Sequence, residues 1–161
     1  MTMPARAEYI EIVRNLYSLG AAAVQDDRDG FVLLAEDVED LTHYAIAGIV
    51  AMRAPVITVS RRDQVPVRSL LSEHGPLASV PTVLRDALGR LHRGQDFDTA
   101  VILEHLRRTV RVDSDSAIDE NILVLGAIVD AVVAAWALQV GYGDVVSHAR
   151  RLLLVTGMIE T

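Results

Sequence analysis

Two short stretches set a carboxylate and an imidazole within one helical turn of each other: Asp40-Leu-Thr-His43 and Asp144-Val-Val-Ser-His148. Spacings of three and four residues put both side chains on one helix face. Carboxylates and neutral imidazoles are ligands for divalent transition metals, and two such helices facing each other would make a site inside a bundle. Asp40, His43, Asp144 and His148 are therefore the metal candidates, with Glu39, Glu104 and His105 as further donors. The paired Glu-x-x-His motifs of di-iron bundles are absent. Acids and histidines on solvated helix faces are ordinary, so no metal or other cofactor is expected.

A second pair lies in Arg85-Asp-Ala-Leu-Gly-Arg-Leu-His92. Seven positions are nearly two helical turns, so Arg85 and His92 share a face about 10 Å apart along the axis. An imidazole can move the proton of an attacking hydroxyl, and a guanidinium can stabilise a phosphate. The stretch resembles the pattern of HEPN-type ribonucleases, in which four to six residues separate an arginine from a histidine. Those are small all-helical proteins that usually act as dimers. The resemblance implies His92 as general acid or base for 2′-hydroxyl attack and Arg85 as the phosphate partner. Polar helix surface is the simpler account of both residues.

Val140-Gly-Tyr-Gly-Asp144 is similar to the selectivity filter of potassium channels, with Gln139 where that motif has threonine. A filter needs a pore helix between two spanning helices. Ser147-His-Ala-Arg-Arg151 interrupts any span after the motif, and Arg53 and Pro55 break the apolar run upstream. Gly141 and Gly143 read instead as a turn between helices, with Asp144 capping the second.

No cysteine is present, which removes disulfides and thiolate metal sites. No glycine-rich phosphate loop, Gly-x-Ser-x-Gly elbow or His-Glu-x-x-His motif occurs. All fifteen basic residues are arginine, and the net charge of −7 argues against broad electrostatic binding of nucleic acid. The charge is uneven. Residues 26–40 hold seven acids against Arg28, whereas residues 53–68 hold Arg53, Arg61, Arg62 and Arg68 against Asp63. Those arginines suit phosphates, an acidic partner, or the acidic segment of a second copy.

The elements that must position these groups are helical. At 161 residues the chain suits one domain, and with only 4% aromatics its core is built from Ala, Val, Leu and Ile. Apolar periodicity predicts a helix over 5–24, a turn at 26–30 and a second helix over 31–53, together a hairpin. Residues 54–80 hold Pro55, Pro66, Gly75 and Pro76 and read as an irregular connection, with 55–60 a short strand or extended linker and 67–74 two helical turns. A helical core over 81–159 follows: a helix capped at Ser79 and running to His92, one over about 98–110 capped by Asp96 or Asp98, one over 118–140 opened by a Ser116-Ala-Ile-Asp119 capping box, and a last one over 143–158.

Ile122–Val140 is nineteen residues with the single charge Asp130, long enough to cross a bilayer. Its small residues suit close helix packing, and a helix apolar all round must be wrapped on every side. The expectation is an all-α bundle of five to seven helices around it. It should form a homodimer with Asp130 and Trp136 at or near the interface, and Asp130 should pair with Arg or His or sit at a packing gap. With no secretory signal in the first residues, the chain is expected in the cytoplasm, off the membrane. The leading function is a non-enzymatic interaction or regulatory module for a protein partner or small ligand. The alternatives are an HEPN-like ribonuclease, then a metal-binding bundle.

Overall fold

A computed structural model describes residues 4–113 and 119–157. The described residues are all-helical, with no strand, in eight α-helices. These are α1 (Arg6–Val24), α2 (Arg28–Glu36), α3 (Leu41–Asp63), α4 (Val67–Leu70), α5 (Thr82–His92), α6 (Thr99–Asp113), α7 (Glu120–Val140) and α8 (Val145–Gly157).

The hairpin expected over 5–53 is redrawn. The single helix over 31–53 is two, because the acidic run Asp37–Asp40 does not stay helical. Asp40 caps a new helix, its carboxylate accepting from the Thr42 amide at 2.9 Å. The strand or linker expected at 55–60 is also corrected. Pro55-Val-Ile-Thr-Val-Ser60 is the second half of α3. Proline forfeits one helical hydrogen bond there, but Pro55, Val56 and Val59 are buried, and that burial holds the helix through the proline. Helix α3 stops at Gln64 in the left-handed region, φ 55°.

Two expected turns over 67–74 shrink to the one turn of α4. Helix α5 starts after Pro81 with no side-chain cap, so Ser79 does not fill that role. Asp98 caps α6, accepting from Ala100 and Val101 at 3.0 and 3.3 Å. Ser116 of the expected capping box lies outside the described residues. Asp119 itself caps α7, accepting from the Asn121 amide at 2.9 Å. Gly141, at φ 84°, makes the turn that the filter-like string encodes, and a 3-10 turn over Tyr142–Asp144 leads into α8.

The centre of the molecule is the α3–α7 pair. At Gly48 an added Cβ would lie 2.6 Å from Ile128 Cγ2, so the Ile128 side chain seats against α3 where glycine leaves room for it. Farther along, Arg62 Nη1 donates to the Gln139 carbonyl at 2.8 Å, so the C-terminal ends of α3 and α7 adjoin and the two run in the same direction. Helices α1 and α6 pack on this pair, and α8 lies along α1, fastened where Arg14 Nε and Nη2 donate to the Thr156 carbonyl at 3.2 and 3.1 Å.

Helix α7 is central but is not sheathed on every side within the chain. Val124, Leu125, Ile128, Val129, Val132, Ala135 and Trp136 are buried, while Leu123, Gly126, Ala127 and Ala134 are half-buried and Asp130 is exposed along one strip.

Candidate functional site

A cluster of exposed arginines lies where α4 and α5 line one groove. Proline ends the linker after α3 at Pro66, and α4 turns the chain toward α5. The two helices and the loop 71–81 leave an open groove of about 610 Å³. Arg68, Arg90, His92 and Arg93 rim it, and Asp86 is the one acid in its lining. Arg68, Arg90, His92 and Arg93 are exposed. Arg93 Nε makes a 3.3 Å contact with Gln95 Oε1, and the Arg68 and Arg90 guanidinium groups have no hydrogen-bond or ion-pair partner among the described residues. Pro66, Val67 and Leu71 make the apolar side of the groove, and Gly89 leaves its floor without a side chain.

Arg85 is at the base of this groove and is built in. It is only 8% exposed. Its Nε donates to the Val80 carbonyl at 2.9 Å, Nη1 to the Leu71 carbonyl at 3.0 Å and Nη2 to Thr82 Oγ1 at 3.0 Å. Two of the five guanidinium donors thus pin the loop 71–81 onto α5, and a third bonds within the first turn of α5. The structure does bring Arg85 and His92 to one groove, as their spacing predicts, but the guanidinium holds the loop where the ribonuclease resemblance implies a phosphate.

The metal candidates are not brought together. Asp40 caps α3, and that backbone hydrogen bond holds its carboxyl below the usual carboxylate range. His43 Nδ1 lies 3.4 Å from Glu8 Oε1, near the start of α1. Asp144 is exposed in the 3-10 turn. His148 packs edge-on against Trp136, with ring centres 6.0 Å apart. Burial, then the charge of Arg151, pushes the His148 imidazole down from its ordinary value, favouring the neutral ring. Among the described residues no three His, Cys, Asp or Glu side chains converge as a metal site needs. Sequence spacing finds pairs on one helix and is blind to whether two helices bring their pairs together.

Trp136, expected near an interface, is 2% exposed in the interior of the single chain. Tyr17 meets it edge-on at 5.7 Å, and at Gly20 an added Cβ would lie 2.7 Å from the indole ring. Asp130 pairs with no Arg or His among the described residues. It sits at a gap of about 360 Å³ between α7 and the loop through Ser79, Val80 and Pro81, and partial burial there raises its carboxyl pKa. Of the sequence-level arginine cluster, only Arg68 reaches the groove. Arg62 is paired with Asp63 at 2.9 Å, and Arg53 and Arg61 are exposed elsewhere on α3. Arg90 and Arg93 escaped sequence reasoning because the surface they face, α4, is a separate element whose position no periodicity within α5 reports.

Helices α3 and α7 are both long and apolar enough to cross a membrane, and about half of each apolar window is buried inside the fold. The chain significantly matches no protein-family model, no curated protein and no solved structure.

Proposed function

We propose that the chain is a non-catalytic helical interaction module whose working surface is the α4–α5 groove, and that the groove receives an anionic segment of protein. The observation that carries this reading is three exposed arginines, Arg68, Arg90 and Arg93, around one groove, set against the single acid Asp86, in a molecule of net charge −7. Side chains that lack intramolecular partners keep their full capacity for charge-assisted hydrogen bonds. The apolar wall of Pro66, Val67 and Leu71 offers contact area beside them. No Phe, Tyr or Trp lines the groove, so it has no surface for stacking nucleobases. A protein segment with acids and aliphatic side chains fits both walls.

The test uses a fluorescein-labelled peptide of alternating Glu and Leu as probe. Its binding is expected to weaken as salt rises past about 0.1 M, where surface charges are screened. It is expected to fall about tenfold or more in Arg90→Glu/Arg93→Glu. Equal binding by that variant, or none by the natural chain at low salt, overturns the reading.

The ribonuclease alternative keeps one favourable observation: Arg85 and His92 line the same groove. Its expected signature is cleavage of single-stranded RNA by the natural protein and loss in His92→Ala. If the two proteins are equally inert, that proposal is finished.

A further inference from the structure

We infer that the groove's occupant is helix α2 of a second copy of this chain. The inference rests on the proposal that the groove takes an acidic protein segment, and names the segment.

Helix α2 turns a chemically distinct face to solvent. Asp29, Val32, Leu33 and Glu36 follow the i, i+3, i+4, i+7 spacing that aligns side chains on one helix face, and all four are exposed. Leu33 is 67% exposed and Val32 37%, placing both among the few large apolar residues the fold leaves in water. Acids flank them on both sides, with Asp37, Glu39 and Asp40 extending the negative charge past the helix end. The opposite face of α2 is already used: Ala35 is buried and Phe31 and Leu34 pack on the core, against α1 and α7.

The groove is the counterpart of that face in both respects. Aliphatic Val32 and Leu33 correspond to the Pro66–Val67–Leu71 wall, and Asp29 and Glu36 correspond to Arg68, Arg90 and Arg93. A groove of about 610 Å³ takes the side chains of one helix face rather than a whole helix. Within one chain, α2 lies on α1 and α7 whereas α4 and α5 lie on α3. The face and the groove therefore belong to separate surfaces, and a second molecule supplies the match. Each copy carries one of each, so two copies can engage reciprocally about a two-fold axis. A small, charge-rich contact of this kind implies association on the order of 10 µM, weakened by salt.

The experiment is sedimentation of three proteins at about tenfold above that concentration: the natural chain, a groove-reversed variant (Arg90→Glu/Arg93→Glu) and a face-reversed variant (Asp29→Arg/Glu36→Arg). All substituted side chains are exposed, and circular dichroism confirms that each variant keeps its helicity. The natural chain is expected to exceed its 17.5 kDa monomer mass, and each variant alone to sediment as monomer. An equimolar mixture of the two variants is expected to regain association, since each reversed groove then meets a reversed face and each natural groove a natural face. Leu33→Ser, which changes no charge, is expected to weaken association about tenfold.

A natural chain that stays monomeric overturns the inference. So does an assembly indifferent to both variants, which would point to another surface such as the open strip of α7. A mixture that fails to associate does the same. Peptide binding at the groove with a monomeric chain sinks this inference and leaves the proposed module standing. Failure of the peptide as well sinks both.

Discussion

Arg85 is where chemistry and architecture compete for one side chain. A guanidinium that is 8% exposed and donates to two carbonyls and a hydroxyl is part of the frame. Replacing it by alanine leaves the Leu71 and Val80 carbonyls without their partner beside a groove that admits water. Hydrogen bonds to a charged group are each worth about 1.5–3 kcal/mol net, and water recovers part of that. Arg85→Ala is therefore expected to lower unfolding stability by about 3 kcal/mol, read from urea denaturation, with Arg85→Lys recovering only a part. A loss below about 0.5 kcal/mol would mean the loop does not depend on this arginine. Sequence spacing puts Arg85 and His92 on one helix, and both line one groove, but it says nothing of what the guanidinium bonds. The acceptors of Arg85 lie in the loop before its helix, and no spacing within α5 reports on them. His148 makes the same point: its neighbour is Trp136 across a helix pair, not the Asp144 one turn away.

At the scale of elements, periodicity found helices more easily than it found their ends. The stripe Phe31, Leu34, Val38, Leu41, Ala45 and Ile49 keeps helical phase across Asp37–Asp40, so it predicts one helix where the chain forms two. The break is decided by an aspartate that bonds the backbone ahead of it, a preference that works against helix interiors and for helix starts. Pro55 misled in the other direction. A proline ends a helix only when packing does not outweigh the lost hydrogen bond, and Val56 and Val59, nearly fully buried, sit beside it. The cap can be tested directly. Asp40→Ala is expected to cost about 1 kcal/mol, and Asp40→Asn, which keeps an accepting oxygen, distinctly less. The carboxyl is depressed by the Thr42 amide in the folded state. Its contribution is thus present above the ordinary carboxylate value of 3.8 and is lost as pH falls through the lower folded value. Denaturation of the natural chain and Asp40→Asn at neutral and strongly acidic pH should show the difference between them shrinking on acidification. A difference that grows would contradict the cap.

The whole molecule poses the question of its solvent. Helices α3 and α7 each have the length and apolarity of a membrane span. Their mutual arrangement argues for a different use. Gly48 opposes Ile128, and Arg62 reaches the Gln139 carbonyl, so the two helices run in parallel. Two parallel spans require the chain between them to return across the bilayer. That stretch holds α4, α5 and α6, and among the described residues none of these is long and apolar enough to cross. Apolar area on α3 and α7 is directed at each other and at α1, α5 and α6, and burial of that area, at roughly 25 cal/mol per Å², is what holds the bundle together. The strip of α7 left open carries Asp130 at its middle, a charge that is costly in hydrocarbon. The expected outcome is that the folded chain, mixed with phosphatidylcholine vesicles and floated on a sucrose gradient, stays with the dense fraction. Ile128→Ala, which removes buried volume at the α3–α7 contact, is expected to cost about 2–5 kcal/mol in stability by the same reasoning. Flotation of the natural chain, reversed only by detergent, would show instead that lipid competes with the partner helix for these faces.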